Sequence, residues 1–276
     1  SMVPDVSPDR EGLDLYASMT PAKEVGGDLY GYLLIGDDLY FCVGDVSGKG
    51  VPASLFMAQA TRLFRTLAAQ KMMPAEIATR MNDALTENNE RGMFVTMFLG
   101  LVNLETGRLD FCNAGHNPPV IYDQTNLGTF IEMESNAPIG LWPELEFVGE
   151  TIESIKGKPF FVYTDGLNEA ENPEQEQFGD EHLLALLRET QFNSARQVIE
   201  HLQAAVELHR LVADAAGIFL AGTEEIAGSL LLRLGHGSSE LAGPHFHVRA
   251  GLLLQICIGS QIVRHDVVPV HAQGRL

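Results

Sequence analysis

The stretch that most constrains this chain runs from Lys23 to Ala53, KEVGGDLYGYLLIGDDLYFCVGDVSGKGVPA. Two apolar runs of strand length flank a tight turn at Gly36-Asp37-Asp38, so the segment reads as a β-hairpin. One acid, Asp28, follows Gly26-Gly27 where the first strand begins. A second, Asp45, closes the second strand and opens the glycine-spaced loop Gly48-Lys49-Gly50. Residues equidistant from the turn of an antiparallel hairpin lie opposite each other. Asp28 and Asp45 stand eight or nine residues either side of the turn centre, so folding brings the two carboxylates together. Two such groups held close repel unless a proton or a cation sits between them, and a hard divalent cation is the simplest resident.

The rest of the chain reads as helices and strands in blocks. Leu13 to Met19 alternates weakly, as an edge strand does. From Val51, apolar residues recur at helical spacing, with Pro52 in the first turn, where a missing N–H does no harm. Leu55, Ala58, Leu63 and Leu67 mark part of the buried stripe expected there. A second helix is expected from Pro74 to about Asn89. Strands follow: a hairpin around Glu105-Thr106-Gly107, then PPVIYD, TFIEME and ELEFVGETIES, and finally FFVYTDG, which ends in a third acid before glycine, Asp165-Gly166. Two helices close the series, from Asp180 to Glu189 and from Ser194 to His209. Strands grouped in hairpins between blocks of helices specify an α+β fold, with two antiparallel sheets packed face to face as a sandwich and helices outside. Residues 12–235 form this domain, and the Pro- and Asp-rich residues 1–11 read as a leader or linker remnant. Residues 236–276 fit nothing in that core and are set apart as a tail, although LLLQICI within them has the length of a buried strand. His245, His247, His265 and Asp266 in that segment lack the partner spacing of a metal site.

Charge and cysteine content narrow the function classes. A net charge of −19 argues against a nucleic-acid partner, which needs a basic face, and against an anionic membrane surface. Cys42, Cys112 and Cys257 are odd in number, far apart and in apolar stretches, as reduced, buried thiols of a cytoplasmic protein are. No apolar run reaches the length needed to span a bilayer. Each acid-plus-glycine strand end, taken alone, is an ordinary turn. The series of three is what carries information.

That series resembles the SpoIIE-type serine/threonine phosphatases, the bacterial branch of the PP2C-like family, in the form of a stress-response phosphatase domain. The pieces that match are PAKEVGGDLY (21–30), GDVSGKGVPASL (44–55), FCNAGHNPPVIY (111–122), APIGL (137–141) and FFVYTDGLNEAEN (160–172), in the family's order and spacing. The resemblance implies a β-sandwich flanked by helices and a metal-dependent phosphatase that hydrolyses phosphoserine or phosphothreonine. Two ions, Mn²⁺ or Mg²⁺, would bind the phosphoryl oxygens and activate water. By similarity Asp45 bridges the ions, the Val46 carbonyl completes one shell, Asp28 ligates an ion or orients its water, and Asp165 holds the other ion. Lys23 could reach the substrate phosphate or be a solvated lysine, and Lys49 stands where many relatives carry histidine. Asn113, Gly115, His116 and Asn117 read as an architectural loop with a buried histidine. Glu24 could tie the hairpin to regulatory movement, and Asn168 and Glu169 could support the metal shell or begin a loop.

One departure stands out. The family closes with an aspartate pair before a last core strand; here that strand is Ser229 to Leu234 and the acids before it are Glu224 and Glu225, with Asp214 farther upstream. Glutamate moves the oxygen outward by one methylene, which weakens the expectation of a second ion with strict octahedral needs. Glu225 is the candidate ligand. The implied partner is a phosphorylated STAS-type anti-anti-sigma protein, with a sensor or receiver domain upstream and a homodimer as a further possibility. The competing reading is a degenerate phosphatase that binds a phosphoprotein or dimerises with weak turnover.

Overall fold

Alternation along the strands sets the layers. The computed structural model describes residues 10–20, 27–87, 89–122, 128–189, 194–211 and 251–258. In chain order the elements are β1 (Leu13–Thr20), β2 (Asp28–Ile35), β3 (Asp38–Val46), α1 (Val51–Ala68), α2 (Pro74–Thr86), β4 (Val95–Asn103), β5 (Leu109–Ala114), β6 (Val120–Ile121) and β7 (Thr129–Phe130). They continue as β8 (Glu150–Ile152), β9 (Phe160–Tyr163), α3 (Asp165–Asn168), α4 (Asp180–Glu189), α5 (Ala195–Leu211) and β10 (Gly251–Ile258). Among the described residues they build two five-stranded sheets, β1-β10-β9-β6-β7 and β2-β3-β4-β5-β8. Every ladder is antiparallel.

Successive side chains of a strand point to opposite faces. Leu39, Phe41 and Val43 of β3 and Phe98 and Val102 of β4 therefore meet Phe160 and Val162 of β9 between the sheets. Their neighbours Tyr40, Cys42, Met97 and Leu99 pack under α1 and α2. On the far side, Phe161 and Tyr163 of β9 pack against Leu183, Leu186, Ile199 and Leu202 of α4 and α5. Both faces of each sheet are covered, which is why the central strands read as nearly unbroken apolar runs. The result is a four-layer α-β-β-α sandwich, as expected. Cys42 and Cys112 are buried free thiols. Among the described residues, no helix is long and apolar enough to cross a membrane.

Several elements differ from expectation. The hairpin loop is only Gly36-Asp37, with Asp38 already paired to Ile35, and Gly36 takes φ 65°, a left-handed value that suits glycine. The buried stripe of α1 is Ala53, Phe56, Met57, Ala60, Phe64 and Ala68, while Leu55 is 62% exposed. At about 100° per residue these positions cluster on one face, where small alanines let the helix approach the sheet. Leu55 lies on the opposite face, and Ala58, Leu63 and Leu67 sit at half-buried positions. The segments TFIEME and ELEFVGETIES contribute only β7 and β8, which are short edge strands of different sheets. Asn136 donates to the Val148 carbonyl at 3.0 Å and accepts from its N–H at 2.9 Å. Helix α2 stops at Thr86 rather than Asn89, whose side chain turns to the backbone of Met93 and Gly140. Ser229 to Leu234 lies outside the described residues. The strand between β1 and β9 is β10, Gly251–Ile258, drawn from the segment that the sequence set apart as a tail. Its apolar run satisfies ladders on both sides, which an edge or a tail would leave unpaired.

Phe41 anchors the space between the sheets, with its ring centroid 6.0 Å from those of both Phe98 and Phe160. Gly100, paired to Phe41 across the ladder, leaves room for that ring: a Cβ there would lie 2.2 Å from Phe41 Cζ. Gly100→Ala is therefore expected to lower unfolding free energy in urea by about 1–3 kcal/mol, the usual cost of overpacking. An unchanged midpoint would mean that the Phe41 ring moves aside freely.

Candidate active site

The acids converge at one end of the sandwich. Asp28 begins β2 and Asp45 ends β3, and the two are direct cross-strand partners. The Val46 N–H donates to the Gly27 carbonyl at 3.1 Å. That bond makes 27/46 a hydrogen-bonded pair and leaves 28/45 as the non-hydrogen-bonded kind, in which opposing side chains come closest. Asp165 enters from the other sheet, as the first residue of α3 directly after β9. Asp28 is buried at 4% exposure, and Asp45 and Asp165 are half-buried.

Electrostatics record this crowding. The Asp28 carboxyl is pushed up to about 8, first by burial and then by the Asp45 charge; Thr164 offsets part of this by a hydrogen bond, and the Asp165 charge adds a smaller upward push. Asp28 thus senses Asp45 across the hairpin and Asp165 from the other sheet.

Donor chemistry and available room both suit a divalent cation. The donors are carboxylate oxygens and a carbonyl, the set preferred by Mg²⁺ and Mn²⁺. Gly27 supplies the room: a Cβ on it would lie 2.3 Å from the Val46 carbonyl oxygen and 2.6 Å from Asp45 Oδ1. Two of the expected donor atoms therefore border the same cradle. Among the described residues, no three Asp, Glu, His or Cys side chains stand close enough to hold an ion unaided. A small hard ion is commonly held by one or two carboxylates while keeping several waters, so Asp28, Asp45 and the Val46 carbonyl make a sufficient start.

The supporting residues hold these groups in place. Ser47 N–H donates to the Phe94 carbonyl at 2.8 Å, and Ser47 Oγ accepts from the Phe94 N–H at 2.9 Å, which pins the loop after Asp45. Thr96 lies opposite Asp45 in the β3–β4 ladder, with its hydroxyl 3.4 Å from the Asp45 carbonyl and 3.4 Å from His116 Nδ1. His116 is buried, and burial pushes its imidazole down to about 4, so it is neutral at pH 7. Its backbone is clamped by the Asn113 side chain, which accepts from His116 N–H at 2.7 Å and donates to its carbonyl at 2.9 Å. A hydrogen bond with the Tyr163 backbone offsets part of the effect of burial on the imidazole. The APIGL segment packs on the loop around His116, with Pro138 against Gly115. The buried Asn82 of α2 accepts from the Gly140 N–H and donates to the Trp142 carbonyl. Asn168 donates to Asp180 rather than toward Asp165.

Thr164 and Thr96 were not singled out by sequence. No turn gives the 45/96 pairing by counting, because β3 and β4 are joined through α1 and α2. Lys49 lies in the loop after Asp45 with an exposed side chain. Lys23, Glu24, Asp214, Glu224, Glu225, His245, His247, His265 and Asp266 lie outside the described residues.

Residues 35–220 match the family model described as Stage II sporulation protein E (SpoIIE). The chain is 28% identical over 230 residues to Protein IcfG of Synechocystis sp., covering 72% of this chain and 36% of that one. It is 26% identical over 190 residues to the phosphoserine phosphatase RsbU of Bacillus subtilis, covering 66% of this chain and 56% of RsbU. The chain thus spans between a third and just over half the length of these relatives. The PP2C phosphatase domain of SpoIIE from Bacillus subtilis superposes with a TM-score of 0.66 at 15% identity, over 89% of this chain and 63% of that one, which establishes the PP2C fold.

Two measurements follow from the geometry. Gly27→Ala is expected to cut divalent-cation affinity by about 10–100-fold, the range seen when groups around a metal are disturbed, as read by titration calorimetry; unchanged affinity would show that the cradle is not the cation's place. In metal-free protein, folded Asp28 keeps a proton from about pH 4 to about pH 8 that the unfolded chain has already lost. Its contribution to stability is therefore fully present at low pH and falls as pH rises through that window. Asp28→Asn is expected to flatten the decline of melting temperature between pH 5 and pH 8, values inside the window set by the shift; parallel profiles for the two proteins would contradict it.

Proposed function

The chain belongs to the SpoIIE family, and from that premise we propose that it is a metal-dependent protein phosphatase acting on phosphoserine or phosphothreonine. The observation that carries this reading is the direct pairing of Asp28 with Asp45, with the Asp165 charge adding a smaller upward push on the Asp28 carboxyl. In this reading Asp45 and the Val46 carbonyl hold a Mn²⁺ or Mg²⁺ ion, Asp28 holds or orients its water, Asp165 holds a second ion, and Glu225 is the remaining ligand. Bound there, divalent ions neutralise the phosphoryl oxygens and make water acidic enough to lose a proton near neutral pH.

The chain's own residues do the rest. Burial and the cross-strand pairing keep Asp28 beside Asp45 and out of solvent. The Thr164 hydrogen bond fixes its orientation and favours its ionised form once a cation replaces the proton. Thr96 and the clamped, neutral His116 stiffen the backbone at Asp45 without adding a competing positive charge. Lys23 would meet the substrate phosphate, offering a charge-assisted contact.

The proposed substrate is a phosphorylated STAS-type protein of a sigma-factor pathway, a reading supported by the likeness to RsbU. Hydrolysis of p-nitrophenyl phosphate is expected to require Mn²⁺, and Asp45→Ala is expected to reduce it to the rate of metal-free protein. Turnover indifferent to chelator and to this substitution would overturn the mechanism. Glu225→Asp is expected to raise the Mn²⁺-dependent rate by restoring the shorter acid. A binding module without turnover would instead take up Mn²⁺ while leaving the ester intact.

A further inference from the structure

Acid is absent from one part of this acidic chain. From Val46 to Ala75 it runs 30 residues without Asp or Glu, the longest such run in the sequence, while carrying Lys49, Arg62, Arg65 and Lys71 against a net charge of −19. Helix α1 occupies most of that run. With Ala53, Phe56, Ala60, Phe64 and Ala68 turned to the sheet, its outward face carries Gln59, Thr66 and a stripe of Val51, Leu55, Arg62 and Arg65, which fall within an arc of roughly 80° at 100° per residue. Val51 is 72% exposed and Leu55 62%, the largest exposures among the large apolar residues described. Arg62 and Arg65 are exposed and take part in no ion pair among the described residues. The stripe is about 21 Å long at 1.5 Å rise per residue. Its apolar end adjoins the Gly48-Lys49-Gly50 loop that leaves Asp45, and its basic end lies farthest from the acids.

We propose that this stripe docks the phosphorylated partner protein, through a face of that partner bearing apolar residues followed by acidic ones. The inference rests on the phosphatase reading for where the phosphoserine must arrive. A phosphoserine carries about −1.5 to −2 charge, so a generally acidic enzyme repels its own substrate. An acid-free helix that adjoins the site at its apolar end and turns basic farther along reverses that repulsion locally and steers encounter. Val51 and Leu55 then supply the apolar anchor nearest the chemistry, where a buried contact holds the bound partner, and the arginines set its direction along the helix.

Charge complementarity selects an acidic protein face over the alternatives. The test uses two fluorescent phosphoserine peptides, each an amphipathic helix with leucines beside the phosphoserine, followed by glutamates in one and lysines in the other. Binding to the full chain is read by fluorescence anisotropy, beside p-nitrophenyl phosphate turnover. The unaltered chain is expected to favour the glutamate peptide by about tenfold or more, with an affinity that falls as salt rises. Arg62→Glu/Arg65→Glu should remove that preference, and Val51→Ser/Leu55→Ser should weaken both peptides, with p-nitrophenyl phosphate turnover unchanged in each. Undiminished binding of the glutamate peptide by the arginine variant overturns the proposal. So does capture by phosphatidylserine vesicles, or self-association lost on Val51→Ser/Leu55→Ser, without peptide preference. Because anisotropy needs no turnover, a chain that binds as expected but leaves p-nitrophenyl phosphate intact would contradict the phosphatase reading and leave the docking surface standing.

Discussion

Everything at the active end of this molecule depends on a repulsion. The β2–β3 register sets Asp28 directly against Asp45, in the pairing that brings opposing side chains closest. Burial denies Asp28 the water that would relieve this, and its carboxyl responds by holding a proton up to about pH 8. Like charges placed so near are costly to folding unless something positive arrives. The fold therefore contains a standing demand for a proton or a cation, and the oxygens around the Gly27 cradle suit a small hard ion.

The four layers keep that demand from being relaxed away. Asp45 is tied through its backbone to β4 by the ladder, by Thr96 and by Ser47. Behind it Phe41, Phe98 and Phe160 fill the space between the sheets. Asp165 is positioned by β9, which the second sheet holds between β10 and β6. Carboxylates from separate sheets can meet only if the sheets keep their stacking. Strand β10, paired on both sides, joins β1 to β9 and is part of that rigidity.

The hairpin and its acids were legible in the chain because register follows from counting residues away from a turn. Paired positions from 28/45 to 35/38 share one sum, so one turn specifies all eight. The helices on both sides follow from periodicity, except that the stripe of α1 expected to include Leu55, Ala58, Leu63 and Leu67 is held by Ala53, Phe56, Met57, Ala60, Phe64 and Ala68, with Leu63 and Leu67 packed at its margin. Leucine is a guess from size, and the phase of the helix overrides it. Strand β10 was not legible: LLLQICI follows α5 at a distance, and only tertiary pairing distinguishes an interior strand from an apolar tail. Thr96 and Thr164 were hidden for a related reason, because each acts across strands on a residue far away in sequence.

A proton displaced by a cation is the most direct signature of this arrangement. Calorimetric titration of Mn²⁺ at pH 7, in buffers of different ionisation enthalpy, counts the protons released on binding. The account predicts release of close to one proton per ion bound at the Asp28–Asp45 site, because Asp28 is protonated below about pH 8 without the ion, and predicts that Asp28→Asn eliminates that release. Mn²⁺ binding with no proton release, or release that survives in Asp28→Asn, would contradict the claim that these two acids hold the ion.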